Sequence, residues 1–107
     1  MAHAPLPDLV LYGRPGCHLC EESRDLVVAL LDERRRAGLA VPSLVDRDIT
    51  TDPDWERAFF TVITVLELGE RQLDLALSAG KIRRLLADAL DGPADAAEAA
   101  GAATPGA

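Results

Sequence analysis

The chain has only two cysteines, Cys17 and Cys20, set three residues apart between a Pro-Gly loop and an amphipathic segment. No other feature constrains the fold as much. Upstream, residues 8–13 (DLVLYG) form a short apolar run closed by Gly13, Pro15 and Gly16, the pattern of a buried strand halted by a loop. Downstream, Leu19, Leu26, Val27, Leu30 and Leu31 recur at helical spacing, and Glu21, Glu22, Arg24, Asp25, Asp32, Glu33, Arg34, Arg35 and Arg36 fill the other face. This predicts a helix from about Cys17 to Ala37, stopped by Gly38. The cysteine pair therefore falls where a strand, a tight loop and a helix start meet.

The rest of the chain continues in short alternating units. Residues 43–49 (SLVDRDI), opened by Pro42, fit a second strand with one wetter end. Asp52 before Pro53 offers an N-cap followed by proline in the first turn, so a short helix is predicted from Pro53 to about Phe59, with Trp55, Phe59 and Phe60 as core anchors. Residues 61–68 (TVITVLEL) are rich in β-branched side chains, and Gly69-Glu70 separates them from residues 71–77 (RQLDLAL). A hairpin follows, with glycine first in a two-residue type II′ turn. Ser78 can cap a last helix whose Ile82, Leu85, Leu86, Ala89 and Leu90 make one apolar stripe ending near Gly92-Pro93.

The expected order is β-α-β-α-β-β-α, an α/β architecture with a four-stranded mixed sheet and helices on both faces. The first two strands are parallel and the hairpin adds antiparallel ones. Residues 1–7 are read as a lead, 8–91 as one domain, and 92–107, almost all Ala, Gly, Pro and acidic residues, as a disordered tail. A 107-residue chain with 49% hydrophobic residues can bury one modest core but not two.

The net charge of -7 argues against nucleic acid or an anionic membrane as partner, since both need clustered Lys and Arg. No apolar run approaches a membrane span, and the first residues lack the basic and apolar regions of a signal peptide. The expectation is a cytoplasmic, monomeric protein. In that setting a close cysteine pair reads as catalytic or metal-binding rather than as a structural staple.

At a helix N-terminus, residues three apart share a face, so Cys17 and Cys20 can reach disulfide distance. Unpaired N–H groups and the positive end of the helix dipole favour a thiolate at the first cysteine, which makes Cys17 the nucleophile. Cys20, one turn deeper, is placed to resolve a mixed disulfide by attacking the Cys17 sulfur. Arg14 and His18 add positive charge nearby, opposed by Glu21 and Glu22. Tyr12, at the strand end, is either a substrate contact or packing. Zinc ribbons share the C-x-x-C spacing, yet structural zinc wants four ligands and the chain offers only the two cysteines, His18 and His3. Metal is therefore not expected within one chain. A metal or iron-sulfur site shared by two chains stands as an alternative.

The segment Leu11-Tyr12-Gly13-Arg14-Pro15-Gly16-Cys17-His18-Leu19-Cys20-Glu21 resembles the active-site segment of small glutaredoxin-like proteins of the thioredoxin superfamily. The resemblance extends through Asp48-Ile49, Asp52-Pro53 and the hairpin from Val62 to Leu77. It implies a thioredoxin-like fold and thiol–disulfide exchange on a protein or low-molecular-weight disulfide, with an external thiol reductant and no bound cofactor. Glutathione is the co-substrate it offers, although Ala79-Gly80 stands where glutaredoxins carry the Gly-Gly that helps hold it. In these relatives a cis-proline before the third strand faces the dithiol, and the backbone beside it pairs with substrate. The matching stretch here is Ile63-Thr64-Val65. A cis bond before a non-proline residue costs about 2.5–4 kcal/mol, so the Thr64 bond is expected to be trans and its loop reshaped. The further alternative is then a binding module that kept the fold and lost the chemistry.

Overall fold

The computed structural model describes residues 6–91, so the expected tail, His3 and most of the N-terminal lead lie outside the described residues. Within them the order is β1 (Leu9–Gly13), α1 (His18–Arg36), β2 (Leu44–Asp48), α2 (Pro53–Phe59), β3 (Val65–Leu68), β4 (Arg71–Leu73) and α3 (Ala79–Leu90), with a 3-10 turn at Ile49–Thr51 before α2. The strands form one mixed sheet in the order β2-β1-β3-β4. β1 runs parallel to β2, with Leu9 opposite Leu44, and antiparallel to β3, with Leu11 opposite Leu66.

As an inner strand packed on both faces, β1 is apolar throughout. Its side chains alternate. Leu9 and Leu11 join Leu66 and Leu68 under α1 and α3, where Val27, Leu30, Leu31, Ile82, Leu85 and Leu86 complete the main core. Val10 and Tyr12 join Val65 and Ile49 on the opposite face, covered by Trp55 and Phe59 of α2. Helices thus sit on both faces of the sheet.

Local chemistry sets the element ends. Gly38, at φ 75°, closes α1: the Leu39 N–H reaches Arg34 O (2.9 Å) and the Gly38 N–H reaches Arg35 O (3.1 Å), a Schellman arrangement. Asp52 caps α2 through Oδ1 to the Asp54 N–H at 2.8 Å, with Pro53 in its first turn. Leu68 pairs with Arg71 across Gly69-Glu70, and Gly69 alone takes a positive φ there, 61°, as a type II′ turn requires.

Four expectations are corrected. The third strand begins at Val65 rather than Thr61, because Phe59 O takes the N–H groups of Val62 (2.9 Å) and Ile63 (3.0 Å) and holds them in a turn after α2. The fourth ends at Leu73 rather than Leu77, because the chain leaves the ladder to pair with residues 62–64: the Leu75 N–H donates to Val62 O (3.1 Å) and the Ala76 N–H to Thr64 O (2.8 Å). The Ile63–Thr64 peptide bond is cis, not trans. Preference for trans is a property of the isolated peptide unit, whereas these hydrogen bonds hold the segment on both sides of the bond. Phe60 is also no core anchor: it follows the last residue of α2 and is 55% exposed, while Trp55 and Phe59 are half-buried against the sheet. No helix among the described residues is long and apolar enough to cross a membrane.

Candidate functional site

Cys17 is the N-cap of α1, in extended conformation, with its Sγ accepting from the Cys20 N–H at 3.2 Å. The two cysteines are joined as a disulfide, with Cα atoms 5.2 Å apart. Cys17 is half-buried and Cys20 is buried. This division of exposure follows from the helix: Cys20 opens the inward stripe that continues through Ser23, Val27, Leu30 and Arg34.

Gly13 lies directly against the pair. A β-carbon there would sit 3.0 Å from Cys20 Sγ and 3.2 Å from Cys20 Cβ, so the strand end must be glycine for the sulfur to pack this closely. Thr64 borders the same point, its Cγ2 3.7 Å away, and is wholly buried. The segment holding it is tied to α1 through two bonds: Ser23 Oγ donates to Ala76 O at 2.6 Å, and the Ala76 N–H donates to Thr64 O. Between them Leu75 holds a left-handed φ of 51° that an L side chain rarely adopts, imposed by the bonds at Val62 and Thr64.

On the β2 side of the disulfide a cleft of about 260 Å³ opens, lined in part by Arg14, Cys17, Glu21, Arg24, Arg47 and Asp48. Arg24 Nε pairs with Asp46 at 3.2 Å, and the Arg47 guanidinium lies 5.3 Å from the Trp55 ring centre. Asp48 Oδ1 accepts from the Thr50 N–H (2.9 Å) and hydroxyl (2.6 Å), which makes it the cap of the 3-10 turn.

The residues singled out in the sequence are distributed unevenly about this site. Arg14 lines the cleft with its guanidinium 5.8 Å from the Phe60 ring centre. His18 is exposed, its Nε2 2.9 Å from Glu22 Oε2. Ile63 is partly buried and its N–H is already donated to Phe59 O, so that amide is not free to pair with a substrate. Val65 and Tyr12 belong to the core under α2. The Tyr12 ring meets Trp55 edge-on and Phe59 at a tilt, and its hydroxyl donates to Glu67 Oε1 at 3.1 Å, leaving 4% of the residue exposed. Burial raises its pKa above the ordinary value, and Glu67 adds to the shift. Tyr12 therefore presents no side-chain surface to a substrate. Sequence reasoning missed Gly13 as a close-approach position and Ser23 as a tie. The available signal for Ser23 was a hydroxyl residue on the apolar stripe one turn after Cys20.

Comparison with known proteins agrees with this geometry. Among solved structures, the chain is similar to the solution structure of protein Ne2328 from Nitrosomonas europaea, at 22% identity and a TM-score of 0.56, over 79% of this chain and 96% of that one, a likeness of fold. No curated protein matches. The model of the Glutaredoxin-like domain (DUF836) matches residues 8–89, from the strand before the dithiol to the last turn of α3. With a thioredoxin-like sheet, a C-x-x-C pair at the start of its first helix and a match over that whole span, the chain belongs to the glutaredoxin-like (DUF836) family.

Proposed function

We propose that the protein is a thiol–disulfide oxidoreductase in which Cys17 is the nucleophile and Cys20 the resolving thiol. The observation that carries this reading is the asymmetry of the pair: Cys17 caps the helix and is half-exposed, while Cys20 is buried one turn inside. An N-cap sulfur faces unpaired N–H groups, which favour its thiolate, and Cys20 already directs its own N–H to that sulfur. A reduced Cys17 attacks a substrate disulfide, forming a mixed disulfide and expelling one substrate thiolate. Cys20 then attacks Cys17 Sγ, closes the internal disulfide and releases the second thiolate. Two equivalents of an external thiol restore the dithiol. No bound cofactor is required.

The substrate disulfide, on a protein or a small molecule such as a glutathione adduct, enters from the side where Cys17 is exposed. Arg14 and His18 provide the nearby side chains. A cytoplasmic thiol pool fits the demand for a reductant. The test is alkylation with mass spectrometry across a graded thiol/disulfide buffer, alongside turnover of a model disulfide. A reversible Cys17–Cys20 bond and loss of at least tenfold of the turnover in Cys17→Ser are expected. No reversible bond, or turnover equal to that of Cys17→Ser, would sink the proposal.

A further inference from the structure

Thr64 Oγ1 is wholly buried and has no hydrogen-bond partner. A buried hydroxyl left without a partner is costly, so its position calls for a reason. It belongs to a residue that borders, with Cys20, the space left by Gly13: a β-carbon there would lie 3.0 Å from Cys20 Sγ and 3.7 Å from Thr64 Cγ2. The methyl is the group on that side in the disulfide form. Threonine carries methyl and hydroxyl on one carbon, and a 120° turn about χ1 brings the hydroxyl to where the methyl sits, the methyl moving to the place of the Cβ hydrogen, without moving the backbone.

We propose that the Thr64 hydroxyl is a hydrogen-bond donor to the Cys20 sulfur, engaged when the disulfide opens. This rests on the thiol–disulfide reading above. A reductant thiolate attacks Cys17 Sγ and forms a new S–S bond. The Cys17–Cys20 bond breaks with its electron pair going to Cys20, which leaves as a thiolate. A second reductant thiolate then attacks the mixed disulfide, releasing the reductant's own disulfide and the Cys17 thiolate. Two electrons pass from two thiols, and their protons go to solvent or to the cysteines.

The Cys20 sulfur changes most in this sequence. As half of a disulfide it is a weak, neutral acceptor that gains little from a hydroxyl. As a thiolate in a buried site it is a charged acceptor with few waters, and a hydrogen bond to a charged group is about twice as strong as a neutral one. Thr64 keeps its proton throughout. Its rotation leaves the hydroxyl unpaired in the oxidised protein and paired in the reduced one, which biases the couple toward the dithiol.

The experiment compares the full chain with Thr64→Val, which keeps the shape and loses the hydroxyl, Thr64→Ala, which loses it with a smaller residue, and Thr64→Ser, which keeps it. The equilibrium between Cys17–Cys20 disulfide and dithiol is read by alkylation and mass spectrometry in a glutathione buffer. Thr64→Val and Thr64→Ala are expected to move the equilibrium toward the disulfide by about tenfold, or about 30 mV for a two-electron couple. Thr64→Ser should stay within about twofold of the parent. The oxidised Thr64→Val protein should unfold at no lower temperature than the parent, since an unpaired buried hydroxyl has been replaced by a methyl. Valine and alanine variants that titrate with the parent, or a serine variant that shifts as far as they do, would overturn the donor role while leaving the redox reading standing. A parent chain that forms no reversible disulfide would overturn both.

Discussion

At the scale of single residues, the site is made by contacts that residue type alone underdetermines. Tyr12 shows this: its place at the strand end beside the loop fits either substrate contact or packing, and three side chains, Trp55, Phe59 and Glu67, settle it as packing. Its phenol has a pKa raised above its ordinary value, first by burial and then by the Glu67 carboxylate, so the folded state prefers the neutral form. The resulting stabilisation is complete below the unfolded value of about 10 and is lost as pH rises through the higher folded value. Denaturant midpoints measured from pH 8 to 11 should fall at the alkaline end in the parent and fall less in Tyr12→Phe. Equal slopes in the two proteins would mean that Tyr12 ionises as freely in the fold as outside it.

At the scale of elements, α1 and α3 are joined at their C-terminal ends by a buried cation. Arg34 is 6% exposed, donates its Nε–H to Ala40 O at 2.7 Å, and grips the Asp91 carboxylate just past α3 through Nη1 (3.2 Å) and Nη2 (2.5 Å). Such a planar, two-pronged contact is specific to arginine. Asp91→Asn leaves the guanidinium buried with a weaker partner and should cost about 1.5–3 kcal/mol in chemical denaturation, in line with hydrogen bonds to charged groups. A change below about 0.5 kcal/mol would place this pair with ordinary surface ion pairs. Exposed Glu33–Arg83, at 2.9 Å, links the same helices, and its arginine holds the Glu33 carboxyl below the usual carboxylate range. Its share of stability is present above the ordinary carboxylate pKa and fades as pH falls through the lower folded value.

At the scale of the whole molecule, the sheet's inner strands separate a large core under α1 and α3 from a small aromatic one under α2. Leu66 lies at the centre of the larger core, 0% exposed, between Leu11 and Leu73 on its two neighbouring strands. Leu66→Ala should cost about 2–5 kcal/mol in equilibrium unfolding, a large share of the total for a domain this size. A cost below about 1 kcal/mol would show that the core collapses into the gap. The order of elements, both faces of β1, the caps at Asp52, Ser78 and Gly38 and the seat of Cys17 and Cys20 at a helix start were all legible in the sequence. They depend on periodicity and on neighbours a few residues away. The early end of β4, the late start of β3, the cis bond before Thr64 and the exposure of Phe60 were not. The start of β3 depends on a turn in which Phe59 O claims the Val62 and Ile63 N–H groups, and the end of β4 on the distant Val62 and Thr64 carbonyls that claim those of Leu75 and Ala76. By itself the sequence determined a dithiol on a strand–loop–helix unit. Only the tertiary structure decided that Gly13, Thr64 and the Ser23–Ala76 tie close around its buried sulfur, because those contacts join four segments far apart in the chain.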